Sequence, residues 1–293
     1  MTYNAIRDVH NENPHPSLTI KKIGVKGFHR RIDLCTSTGT FSYDVELNAF
    51  IDLPKSQRGA HMSRIIEAMI EAIDDGKRKR FETFEDLLEE ICRKLLLKNP
   101  YASRAEVEAK TIRYFKMNFK EEEIPEAVNV IFSASMQRGC VAERSISVDL
   151  EGLTVCPCAQ AVYSDLEKIP SDRGLSHTQR TRISVEVKTN GASVPIEWLV
   201  DAAVNAFSAP VLSLLKRPQE YELIKAAFKN PRFIEDAIRH VLFKLSRKLH
   251  DEGFPPNTKI IIKGESYESV HPFNAYASTN VTLDEALREL NSE

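Results

Sequence analysis

Phe41-Ser42-Tyr43-Asp44-Val45-Glu46-Leu47-Asn48-Ala49-Phe50-Ile51 decides how this chain begins to fold. Phe41, Tyr43, Val45, Leu47, Ala49 and Ile51 fall on every second position. Side chains of an extended strand point to opposite faces in turn, so that period of two predicts a long half-buried strand ending at Pro54. Thr36-Ser37-Thr38-Gly39 supplies the turn from an earlier strand through Ile32 and Leu34.

Downstream the period changes. Ile66, Met69, Ile70 and Ile73 show helical spacing, with Gly76 as a stop. Phe84, Leu87, Leu88, Ile91 and Leu95 mark a second helix, with Pro100 beyond its end. Strand-like stretches follow around Thr111–Phe119 and Val128–Leu150. A similar order then recurs. Ile183, Val185 and Val187 alternate, Pro195 opens a helix through Phe207, and Ile234, Ile238, Val241, Leu245 and Leu249 line a long helix. Ile260 and Ile262 start closing strands that run on through about Asn274–Val281. Two strand-pair, helix-pair, strand-pair units make an α+β class, with antiparallel sheets and helices packed on one face. The units span approximately 19–150 and 151–293, after an irregular arm over 1–18 that carries Pro14 and Pro16.

Composition narrows the function. A formal charge of −2 over 293 residues gives no general attraction to nucleic acid or to membranes, so a polyanionic ligand needs a local basic site. The N-terminal residues hold no apolar run of signal-peptide length, and nothing approaches the roughly 18 apolar residues of a membrane helix. Five scattered cysteines (35, 92, 140, 156 and 158) do not read as a disulfide framework. A cytoplasmic protein with reduced thiols is the expectation. The runs Lys77-Arg78-Lys79-Arg80 and Glu121-Glu122-Glu123 read as solvated surface.

Cys156-Pro157-Cys158 and His177 carry the most chemistry. Thiolate and imidazole bind borderline-soft divalent ions, and such an ion can make water nucleophilic near neutral pH. The Cys-Pro-Cys spacing is tight for one tetrahedral ion, which favours one cysteine as ligand and the other near the reacting atoms. Two buried thiols beside a proline turn are the plainer alternative. Glu268 and His271 stand three residues apart, so in a regular strand they would face opposite ways; sharing a pocket requires a bend or bulge. Lys216, Arg217 and Glu220 form either a site or a solvated loop. Gly59-Ala60-His61-Met62-Ser63-Arg64 opens a helix, where free backbone N–H groups and Arg64 can hold a phosphate, or where Ser63 merely caps.

Read together these runs form an ordered set: Asp8-Val9-His10-Asn11-Glu12, Asp52-Leu53-Pro54, Arg58 to Arg64, Cys156-Pro157-Cys158, His177-Thr178-Gln179-Arg180, Leu214 to Pro218, Asn230 to Asp236, and Glu268-Ser269-Val270-His271. The set closely resembles the type IB GTP cyclohydrolase family, in unbroken order over nearly the whole chain. The resemblance implies a tunnelling fold (T-fold) of two ββααββ units, a homotetramer with active sites at subunit interfaces, and a metal-dependent hydrolase acting on GTP. It implies one divalent ion (Fe2+, Mn2+ or Zn2+) on Cys156 and His177, with Glu220 as the acidic metal-site residue. Glu235 is then the guanine anchor, Glu268 and His271 are pocket residues with His271 as proton donor, and Cys158 is the second, non-ligand cysteine of the catalytic group. Arg64, Lys216 and Arg217 are the triphosphate partners, and His61 is a further substrate-binding residue.

The chain departs from many relatives at Thr178, where they have Asn, at Gln219-Glu220-Tyr221 in place of Asp-Glu-Lys, and at Phe273 in place of a second histidine. The loop from Cys158 to His177 is long, as in archaeal members. These departures spare the metal set and leave the preferred metal open. They also leave open the product: a dihydroneopterin triphosphate of the folate route, or a 2′,3′-cyclic phosphate of the methanopterin route. Two rivals differ in class: an NADPH-dependent nitrile reductase of the same fold, which needs no metal, and a non-catalytic protein with a structural metal.

Overall fold

The computed structural model describes residues 7–37, 39–76, 80–119 and 122–292. The first six residues of the arm, Lys77 to Lys79 of the basic run and Glu121 of the acidic run lie outside them. Two compact units divide the chain, one comprising residues 1–111 and 131–145, the other 112–130 and 146–293.

In the first unit, β1 (Ile20–Cys35) pairs antiparallel with β2 (Thr40–Leu53), and β2 with β3 (Arg104–Phe119). The alternating set behaves as its period requires from Val45 onward: Val45, Leu47, Ala49 and Ile51 are all buried. Phe41 stays 42% exposed, near the turn into β2. The β1–β2 register slips twice, between Ile20 and Ile23 and between Val25 and Phe28. Gly27 takes the second slip with φ +71, a left-handed conformation that a side chain would strain, and its amide donates to Asn48 Oδ1 at 2.8 Å.

Helices α1 (Met62–Gly76) and α2 (Phe84–Lys98) pack on each other. On α2 the buried face is the one expected: Phe84, Leu87, Leu88, Ile91 and Leu95. Thr83 caps it reciprocally with Asp86. The α1 face is rotated from its expected setting. It runs through Ile65, Ala68, Met69, Ala72 and Ile73, while Ile70 is 38% exposed. Two alanines carry much of this stripe, and a count of large apolar residues passes over them. Beyond β3, the expected long strand over 128–150 is two: β4 (Glu122–Gln137) and β5 (Glu143–Val155). The turn between them contains Gly139 at φ +81.

The second unit adds α3 (Pro157–Glu167), β6 (Thr178–Asn190), α4 (Ile196–Val204), the short β7 (Ala209–Pro210), α5 (Arg217–Lys229), α6 (Ile234–Asp251), β8 (Lys259–Tyr267), β9 (Ala275–Thr282) and α7 (Leu283–Leu290). Its strand neighbours run β5-β6-β8-β9, with β7 on β5, and the β6–β8 and β8–β9 pairs are antiparallel. Ile183, Val185 and Val187 of β6 are fully buried, as are Ile260 and Ile262 of β8. Ala237, Val241, Leu245 and Leu249 form the buried stripe of α6, which packs on β8, β9, α4 and α7. Gly152 of β5 exists for packing: a Cβ there would lie 2.1 Å from the Phe207 ring. Helices α3, α5 and α7 go beyond the sequence expectation.

Candidate active site

The end of β5 and the start of β6 bring Cys156 and His177 together across about twenty residues of sequence. Strand β5 ends at Val155, and Thr154 Oγ1 meets Thr181 Oγ1 of β6 at 2.7 Å. The Cys156 amide donates to the His177 carbonyl at 3.2 Å, and Ser176 Oγ donates to the Cys156 carbonyl at 2.7 Å. Cys156 is the N-cap of α3: its Sγ accepts from the Ala159 amide at 3.4 Å, and Pro157 occupies the first helical turn, where its missing N–H costs nothing. The sulfur thus sits at the positive end of a helix dipole. Cys156 is half-buried and Cys158 exposed.

His177 Nδ1 lies 3.0 Å from Gln179 Oε1. An amide oxygen can only accept, so the Nδ1 proton points to it and the Nε2 lone pair is left available as a ligand or base. Glu268 Oε2 is 4.0 Å from the same Nδ1, and Glu268 Oε1 accepts from Ser266 Oγ at 2.8 Å. The His271 ring stands edge-on to His177, with centroids 6.4 Å apart, and stacks on Phe273 at 5.1 Å. Strand β8 stops at Tyr267, and residues 268–274 bend before β9 begins. That is the irregularity Glu268 and His271 need to reach one pocket.

The remaining expected residues stand on helix starts. Glu220 is exposed on the first turn of α5, behind Lys216 and Arg217, and its amide donates to the Lys216 carbonyl at 2.9 Å. Glu235 is exposed on the first turn of α6. The α5–α6 junction is fastened beside Cys156: the Arg232 amide donates to the Val155 carbonyl at 3.0 Å, and Gln160 Nε2 to the Phe228 carbonyl at 2.8 Å. Among the described residues neither glutamate bonds to Cys156 or His177, and Lys216 and Arg217 form no ion pair. His61 and Arg64 belong to the first unit, at the start of α1, where the Arg64 amide donates to the His61 carbonyl at 3.1 Å. Sequence reasoning missed Gln179 and Ser266 as partners. Each lies two residues from its target, inside the strand whose end the target flanks, and that spacing was the available signal.

A model of the family described as type I GTP cyclohydrolase folE2 matches residues 6–277. The chain belongs to that family. As a member of this enzyme family it is a GTP cyclohydrolase. It is 34% identical over 279 residues to "GTP cyclohydrolase MptA" of Aeropyrum pernix, covering 95% of this chain and 96% of that one. The protein of the same name from Methanocorpusculum labreanum is 31% identical, over 98% and 99%. Among solved structures, the uricase of Arthrobacter globiformis superposes with a TM-score of 0.54 at 10% identity, covering 89% of this chain and 93% of that one. A uricase from Bacillus fastidious gives 0.51, over 92% and 96%. At such identities the likeness shows the fold alone, a mixed α/β architecture built on antiparallel sheet.

The family resemblance implies a divalent ion, and the donors fit one chemically. A thiol sulfur at a helix N-terminus and an imidazole with one nitrogen pinned by Gln179 are the ligand types that zinc or ferrous iron takes. The set is loose, however. The described residues whose ligand atoms gather within 4.8 Å of one another are Asp8, His10 and His61, in the first unit.

Proposed function

We propose that this GTP cyclohydrolase opens the guanine imidazole ring of GTP by hydrolysis at C8, releases formate and recloses the product to a 7,8-dihydroneopterin. The observation that carries the reading is the meeting of Glu268, His271 and His177 in a family member whose Cys156 is fastened to His177. When bound at Cys156 and His177, with Glu220 as its acidic partner, a divalent ion of the iron, manganese or zinc class supplies the Lewis acidity that makes water a nucleophile.

The other steps belong to the side chains. Glu235 accepts from N1–H and the 2-amino group of guanine and so fixes the base. Water adds to C8, and Glu268 takes its proton. His271 protonates the ring nitrogen as the C8–N bond breaks. A second water releases formate, and Cys158 stands among the reacting groups. Lys216, Arg217 and Arg64 are read as triphosphate partners, and His61 as a further substrate-binding residue. The opened ribose then rearranges and recloses with loss of water. We further read the chain as a type IB tunnelling fold of two ββααββ units, working as a homotetramer with its sites at subunit interfaces.

Anaerobic incubation with GTP, one divalent metal at a time, followed by formate assay and product mass, tests this reading. Formate and a pterin should appear together. The mass separates a triphosphate from a 2′,3′-cyclic phosphate, hence the folate from the methanopterin route. No formate with any metal overturns the proposal.

A further inference from the structure

The first unit contains a second set of metal-ligating side chains. Asp8-Val9-His10 forms the start of a short 3-10 turn in the N-terminal arm, and His61 precedes α1. Asp8 Oδ1 lies 3.5 Å from His10 Nδ1 and 3.3 Å from His61 Nε2, and Asp8 Oδ2 is 3.2 Å from the same Nε2. One ligand atom from each residue falls within 4.8 Å of the others. The two imidazoles lie with centroids 4.6 Å apart, tilted by 33°.

These spacings are long for charge-assisted hydrogen bonds, which run about 2.7–2.9 Å. They suit neighbouring ligands on one ion. With metal–nitrogen and metal–oxygen bonds of about 2.0–2.2 Å, the edge of a coordination tetrahedron is about 3.3–3.6 Å. The surroundings are built for the set. Asn11 Nδ2 donates to Asp8 Oδ2 at 2.7 Å, and Gln57 Nε2 donates to Asn11 Oδ1 at 2.8 Å, an outer layer that orients the carboxylate. The amides of Arg58 and Gly59 both donate to the His10 carbonyl, at 3.1 and 3.2 Å. Gly59 leaves room for the His10 ring: a Cβ there would lie 2.9 Å from His10 Cδ2. His61 Nδ1 is buried without a hydrogen-bond partner.

We propose that Asp8, His10 and His61 form a second divalent cation site, taking a first-row transition ion through two imidazoles and one carboxylate. Asp8 and His10 remain open to solvent, so water or an anionic oxygen completes the coordination. The ion fastens the arm to the start of α1. The proposal rests on first-unit residues alone and does not depend on how the Cys156–His177 pair is read.

Zn2+ titration of the full-length Cys156→Ala/His177→Ala variant, by calorimetry and equilibrium dialysis, tests it. One equivalent should still bind, and adding His10→Gln or Asp8→Asn should weaken it by at least about 100-fold, more than an outer-layer change costs. Co2+ in that background should give d–d absorption without a thiolate charge-transfer band. Zn2+ should also slow amide exchange over residues 8–12. Thermal midpoints without metal, unchanged in His10→Gln, separate lost binding from lost folding. No Zn2+ bound by the double variant, or undiminished binding after His10→Gln and Asp8→Asn, overturns the site. Zn2+ binding is read here without GTP turnover, so failure of the proposed activity and failure of this site are told apart.

Discussion

The carboxylate of Glu268 stands 4.0 Å from Nδ1 of His177, although ninety-one positions separate the two in the chain. The residue just before β6 is one and the break after β8 supplies the other. Their neighbours in register, Arg180 and Tyr267, are the last pair of the β6–β8 ladder. The candidate groups therefore begin where the sheet ends.

Glu268→Gln keeps an acceptor for Ser266 Oγ and removes the charge and the basic site. Turnover of GTP should fall by about 10²- to 10⁴-fold. The Michaelis constant and the thermal midpoint should hardly move. Steady-state kinetics beside a melting curve check this; unchanged turnover would remove Glu268 from proton transfer.

Gln179→Leu deprives His177 Nδ1 of the oxygen that fixes its tautomer. Affinity for Zn2+ at the Cys156–His177 pair should drop about 10- to 100-fold, and Gln179→Glu should restore it. Competition with a chromophoric chelator reads both. Equal affinity in all three proteins would show that the contact does not set the tautomer.

Glu85, on the first turn of α2, is 4% exposed, and burial pushes its carboxyl up to about 7. A raised acid pKa means the folded state holds its proton more tightly than the unfolded one. Stability therefore declines as pH rises from about 4.5 to 7 and stays lower above that. Glu85→Gln should abolish this slope and gain on the order of 2–3 kcal/mol at pH 8. Denaturant titrations at pH 5 and pH 8 measure both.

Asp52 runs the opposite way. Partial burial pushes its carboxyl up, but the Ser103 hydroxyl and the Arg104 and Ser103 amides, at 2.6, 2.8 and 2.7 Å, outweigh that and hold it below the usual carboxylate range. Its contribution is complete above the unfolded value and disappears as pH falls through the lower folded one. Asp52→Asn should cost about 1–2 kcal/mol at pH 7 and flatten the acid limb of the stability profile. A variant as acid-sensitive as the wild type would refute this.

Strands and long helices were legible because burial on one face leaves a period. The stripes of β2, β6, α2 and α6 sit where apolar spacing placed them. Helices α3 and α5 were not, because each buries only two residues, Gln160 and Ser164 in one, Leu223 and Ala227 in the other. Such helices are held by their ends: Cys156 caps α3, and the Lys216 amide donates to Gln219 Oε1 on the first turn of α5 at 2.7 Å. In the site, the need for a break between Glu268 and His271 could be read from their spacing alone. The Asp8–His10–His61 group could not, since nothing local relates a turn in the arm to a helix start fifty residues on.

The span from Glu268 to Asn274 has both feet in the sheet. Ser266 pairs with Ala275 across β8 and β9, and Asn274 Nδ2 reaches back to Glu265 Oε1 at 2.8 Å. A tether this short fluctuates in nanoseconds to microseconds, whereas enzymes commonly turn over at about 1–10³ per second. Glu268 and His271 thus re-equilibrate many times within each catalytic cycle without any strand parting from its neighbour. Motion of this span is therefore too fast to be the slow step at a turnover in that range.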